Sequence, residues 1–439
     1  MKPAQQPTAA AVPNSRLKSI RDQFKMVSGP VYIAVMLFAM STWIAVVGIW
    51  VEMPLLVNAL PESWNLPSYL VIIIQCANLG PATYAIWDKM RRRNQQVSNE
   101  QQQHQQHSHV DSEVVVSLII ILTAIVSMLL LSLFWDRTEV IASVNRSVAL
   151  LTLVCFSSLS CCTSSVVFLP YMARFPSVYI SAYYFGQGLC GLVPGLLGLA
   201  QVAGQEPHCR NETDVNDTMA VNMYGMTAAN YVHYSSPRFS ISAFFVLITL
   251  LLCVSAAAFC SLNFVQKCHS EMTTVVVAAT HDQNLENVAE VMATREAAGL
   301  LERRENPDSD TAQSDNNVVE NVAVIRQQRR FISLFVTIGI ISALWNGVLP
   351  ATQTYTCLPY GNIVYRLAVC LSWVVSPLAT LPNMLAPTSS LSLITGLGTV
   401  ASTIAALHLY LASQSPYPIL QGSVVGQIIV VSLVLSSSY

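Results

Sequence analysis

The sequence predicts an all-α protein that crosses a membrane many times, and three observations lead there. Hydrophobic residues make up 53% of the chain and charged residues only 10%, whereas a soluble domain carries about a quarter charged residues. Apolar runs suited to a hydrocarbon core of about 30 Å, which takes roughly 20 helical residues, recur ten times along the 439 residues. Lys and Arg concentrate in alternate loops between those runs, the pattern that orients a polytopic chain in a bilayer. In lipid each run satisfies its own backbone hydrogen bonds, which at this length means a helix rather than a barrel strand.

The runs fall at 31–57, 67–87, 114–135, 148–170, 177–203, 241–265, 331–351, 362–385, 390–412 and 424–439. With the N-terminus in the cytoplasm, the inner segments hold Lys2, Arg16, Lys18, Arg21 and Lys25, then Lys89 and Arg91 to Arg93, then Arg174, and further basic residues between 266 and 330. The outer loops hold only Arg137, Arg146, Arg210 and Arg238. The acceptor sequences for N-glycosylation at Asn145, Asn211 and Asn216 all lie in loops assigned to the outside, an independent agreement. The first 30 residues are too polar for a cleavable signal, so the first span acts as its own anchor.

The chain divides into a cytoplasmic segment at 1–30, a six-helix bundle at 31–265, a largely solvated cytoplasmic linker at 266–330, and a second bundle at 331–439. Two bundles joined by such a linker suggest a transporter of two halves with its site near the midplane. The last run is short, which reads as a second bundle lacking its final span.

Several classes are disfavoured. A net charge of −2 gives no reason to invoke nucleic acid, and no nucleophile, base and orienting group converge in any motif, so an enzyme is not expected. No cofactor is implied, and no Cys-x-x-Cys or His-Glu-x-x-His spacing marks a metal site. His104, His107 and His109 lie in a glutamine-rich stretch that reads as a polar loop. Most cysteines fall inside spans; Cys209 and Cys357 are the two in outer loops, where a disulfide is permitted by compartment.

Polar residues inside spans face the bundle interior or a water-filled cavity by default. In the first span Trp43, Val47, Trp50 and Pro54 share a stripe at about 100° per residue, with Glu52 on the opposite side. Pro54 disturbs the helix nearby. Gln75 and Asn78 in the second span suit a neutral, planar, polar ligand, or act as glue between helices. Thr163 belongs to a set of small hydroxyl residues that line a cavity or permit close packing. In the fifth span Tyr183, Tyr184, Gln187, Gly191 and Pro194 are assigned to one face, and in the seventh Asn346, Pro350 and Gln353. No cluster of carboxylates suggests a sodium site, so uncharged cargo and facilitated transport fit best.

The stretch STWIAVVGIWVEMPLLVNALPESWNLPSYL, followed in order by QCANLGP, CCTSSVVFLPYMARFP, GLCGLVPGLLGLAQ, NGVLPATQTYTCLPYG and SPYPILQG, resembles the eukaryotic riboflavin transporter family, the solute carrier 52 family. The resemblance implies a plasma-membrane carrier that takes up riboflavin without sodium coupling. It also implies eleven spans in a six-plus-five arrangement, like nucleoside transporters and the major facilitator fold. Val47, Cys161 and Gln187 stand where the family carries an asparagine and commonly an aspartate and a glutamate. On this reading Trp43, Trp50 and Tyr184 stack on the flavin ring. Gln75, Asn78, Thr163, Gln187, Asn346 and Gln353 bond its polar edge, and Glu52, Pro54 and Pro350 support or gate the site. Two other readings stay open: a carrier of another neutral heterocycle such as a nucleoside, and a membrane receptor without transport activity.

Overall fold

A computed structural model describes residues 28–96, 102–141, 143–202, 207–210, 231–234, 237–265, 332, 335–385 and 391–437. The expected N-terminal segment and the linker at 266–330 lie outside these residues, apart from the start of the first helix. The described chain is helical, with two short hairpins in loops. Among the described residues six helices are long and apolar enough to cross a membrane, and a bent pair makes a seventh. Where described, the ten apolar runs are largely helical, the first two as broken pairs, and Asn362–Pro377 and Val424–Ser436 are shorter apolar helices.

The first run is two helices, α1 (Gly29–Met40) and α2 (Ile44–Ala59), bent by 53°. The expected disturbance at Pro54 is corrected here: Pro54 sits inside α2, and the break comes at 41–43. At the break the amides of Ser41 and Thr42 reach only three residues back, to Phe38 O and Ala39 O at 3.0 and 3.2 Å, and Ser41 Oγ and Thr42 Oγ1 donate to the same carbonyls at 2.7 and 2.8 Å. Downstream, Asn58 Nδ2 donates to Pro54 O at 2.8 Å.

The chain continues through α3 (Leu66–Ala77), α4 (Leu79–Gln96) and α5 (Gln102–Phe134) to a hairpin of β1 (Glu139–Ile141) and β2 (Val144–Arg146). It proceeds through α6 (Val148–Met172) and α7 (Ser177–Val202) to a second hairpin, β3 (Pro207–Arg210) with β4 (Tyr231–Tyr234), and then α8 (Ile241–Phe264). After a π-helical turn at Leu344–Val348 come α9 (Leu349–Cys357), α10 (Asn362–Leu385), α11 (Leu391–Ser413) and α12 (Val424–Ser437). Glu62, itself buried, holds the start of α6: its two oxygens accept from Ser147 N and Ser147 Oγ, both at 2.7 Å. A carboxylate there satisfies a helix-start amide and complements the helix dipole.

Two cores hold the helices. One is aromatic and joins α1, α6, α7 and α8, with Phe38 against Phe168 and Phe259 at ring separations of 4.7 and 4.9 Å. The other runs through α2, α3, α5, α6 and α8 into α10 and α12, so it spans both halves. The halves also meet where α7 lies along α10 and α3 along α9. On α7 a Cβ at Gly191 would lie 2.9 Å from Trp373 O, and one at Gly195 2.9 Å from Cys370 O. Only glycine admits that approach, a common device where lipid supplies no hydrophobic drive between helices.

Cys357, one of the two cysteines for which a disulfide is permitted, ends α9 as a free, fully buried thiol; the side chain of Cys209 lies outside the described residues. Cys357 thus lies in the core beside α10 rather than in an outer loop. Asn145 lies exposed on β2 opposite Val140, while Asn211 and Asn216 lie outside the described residues.

Candidate functional site

A cavity of about 680 Å³ opens between the halves, within the range of small-molecule sites, roughly 300 to 1,000 Å³. Four indoles line it: Trp43 and Trp50 from α2 and its lead-in, Trp345 from the π turn, and Trp373 from α10. Amides complete the wall, from Gln75 and Asn78 at the end of α3 and from Asn346 and Gln353 on either side of Pro350. Among the lining residues there is no Asp, Glu, Lys or Arg.

Prolines shape this wall. Trp50, Asn346 and Trp373 stand four residues before Pro54, Pro350 and Pro377, and a proline has no N–H to give the carbonyl one turn back. The Asn346 carbonyl takes a replacement, accepting from Gln75 Nε2 at 2.9 Å. Asn78 Nδ2 in turn donates to Gln75 Oε1 at 3.1 Å. A π segment displaces the helical ladder at the same place, as π turns do at functional sites.

Of the nine residues expected to bind substrate, Trp43, Trp50, Gln75, Asn78, Asn346 and Gln353 line the cavity, as does Pro350. Thr163, Tyr184 and Gln187 do not. Thr163 Oγ1 donates to Leu159 O at 2.7 Å, and Gly80 passes so close that a Cβ there would lie 2.6 Å from the hydroxyl. It serves close packing of α4 on α6. Tyr184 is corrected from the shared face: successive residues point about 100° apart on a helix, and while Tyr183 is buried, Tyr184 is half exposed. Gln187 Nε2 donates to Tyr183 OH at 3.4 Å.

Glu52 is fully buried behind the cavity wall, beside Gln201 of α7. Nearby in α10 stands Arg366, within electrostatic reach. Arg366 Nη2 donates to Gln201 Oε1 of α7 at 2.5 Å, and Gln201 Nε2 donates to Phe239 O at 3.0 Å. Pro54 follows Glu52 in the same helix and lies in the core rather than on the cavity. Reading the sequence passes over Arg366, Trp373 and His408. The signal was present in two of them, since an ionisable residue inside an apolar run marks a functional site by default.

The profile described as solute carrier family 52, riboflavin transporter, matches residues 28–439. The chain belongs to this family. It is 34% identical over 401 residues to the solute carrier family 52 riboflavin transporter member 3-A of Danio rerio, covering 90% of this chain and 82% of the relative. Riboflavin transporter 2 of Salmo salar is 32% identical, with 90% and 83% covered. Member 3 of Homo sapiens is 29% identical, with 91% and 84% covered. Membership makes the chain a multi-pass membrane protein of a transporter family rather than an enzyme. Of the three departures from the family pattern, Val47 lines the cavity, Cys161 is buried in the core and Gln187 bonds to Tyr183.

Proposed function

We propose that the chain carries riboflavin across the plasma membrane by alternating access, the two halves rocking about the central cavity without sodium coupling. The observation that carries this reading is the cavity wall: four indoles and four side-chain amides with no charged residue between the halves. A flavin has a flat ring to stack on indole, an imide edge that pairs with amides, and a ribityl chain of hydroxyls for the remaining acceptors. No carboxylate stands among the lining residues to offer a sodium ion a negative charge. The basic loops face the cytoplasm and Asn145 faces outward, where it accepts a glycan.

Uptake of labelled riboflavin by cells expressing the chain tests this directly. The expected result is saturable uptake that survives replacement of sodium by choline and is competed by lumiflavin but not by uridine. Saturable uptake of uridine in place of riboflavin would transfer the site to nucleosides. Normal surface expression with no saturable uptake of either would favour a receptor.

A further inference from the structure

We infer that His408 is the acceptor with which the cavity recognises the imide N–H of the flavin ring; this rests on the riboflavin reading above and assigns a specificity-determining residue to the same site. His408 belongs to α11 and lines the cavity beside Gln353, Val369 and Val434. It is 1% exposed, and neither ring nitrogen has a hydrogen-bond partner. Its backbone is fixed, because His408 O accepts from Thr356 Oγ1 of α9 at 3.4 Å. Thus a polar ring is held at a binding wall with its bonding capacity unused.

Two of the other acceptors of the wall are already engaged. Gln75 Oε1 accepts from Asn78 and Asn346 O accepts from Gln75, so a ligand N–H directed at either competes with an existing bond. At His408 no bond is given up. Pairing there relieves a buried unsatisfied group, and selectivity is greatest where the wrong ligand leaves such a group unpaired. A neutral imidazole offers one bare nitrogen as acceptor. The flavin imide N–H is the matching donor on the ring.

The test compares riboflavin with its N3-methyl derivative, which lacks that N–H, in uptake by the wild-type chain and by His408→Leu and His408→Gln at matched surface levels. His408→Leu should raise KM for riboflavin about ten-fold and leave KM for the N3-methyl compound unchanged. His408→Gln keeps an acceptor oxygen and should recover most of the affinity. Should the leucine variant fail to reach the surface, His408→Met replaces it, and the ratio of the two KM values does not depend on how much carrier is present. Equal changes for both ligands, or none for either, would overturn the assignment while leaving riboflavin transport standing. Absence of riboflavin uptake by the wild-type chain would instead overturn the function, and the assignment with it.

Discussion

Trp50 and Glu52 are two residues apart on one helix and belong to different regions of the molecule. Trp50 faces a cavity lined by neutral amides and indoles. Glu52 faces the other way, into a sealed seam with Gln201 and Arg366 in which α2, α7 and α10 meet. On the proposed reading recognition uses uncharged groups, while the ionisable side chains of Glu52 and Arg366 lie in the seam between the halves. A charge in the cavity would disfavour a neutral planar ligand, whereas in the seam Arg366 lies within electrostatic reach of Glu52 and bonds to Gln201.

The largest effect should come from breaking the seam. Arg366→Leu alone leaves Glu52 buried without its countercharge and should destabilise the carrier by roughly 3 kcal/mol or more, seen as lost surface expression and a lowered melting temperature in detergent. The double variant Glu52→Leu, Arg366→Leu should recover much of that loss. If the double variant is as poor as the single one, the two residues are not compensating each other.

Next comes the glycine contact between the same helices. Gly191→Ala places a methyl group 2.9 Å from Trp373 O, an overpacking cost of about 1 to 3 kcal/mol. Because Trp373 also lines the cavity, both thermal stability and riboflavin affinity should fall. A change in stability without one in affinity would separate the seam from the cavity more cleanly than proposed here.

Within the cavity, Asn346→Ala should raise KM for riboflavin about three- to ten-fold with little change in melting temperature, the size expected for one hydrogen bond. The smallest effects belong to residues the cavity excludes. Thr163→Ala loses a hydroxyl bonded only to its own helix, and its uptake and stability should stay within about 0.5 kcal/mol of wild type.

How much of this was legible in the sequence depended on the range of the interaction. The apolar runs and the stripe that joins Trp43 to Trp50 are local periodicities, and the structure has helices along those runs and both indoles on the cavity. Pro350 frees the Asn346 carbonyl by a rule that spans four residues, so that too was readable. The break at 41–43 was masked by the more conspicuous Pro54. Tyr184 was grouped with Tyr183 because both are tyrosines, against the helical angle that separates them. Arg366 and His408 were hidden by the averages that identify an apolar run. The meeting of Gln201 with Arg366, 165 residues apart, had no local signature at all.

Equilibrium binding of riboflavin to the purified protein distinguishes the indoles that line the cavity from Tyr184 outside it. Trp43→Leu combined with Trp373→Leu should weaken binding by about ten-fold or more per stacking ring removed, while Tyr184→Leu leaves the dissociation constant unchanged. Loss of binding in Tyr184→Leu, with the tryptophan pair behaving as wild type, would place the flavin elsewhere and contradict the cavity as its site.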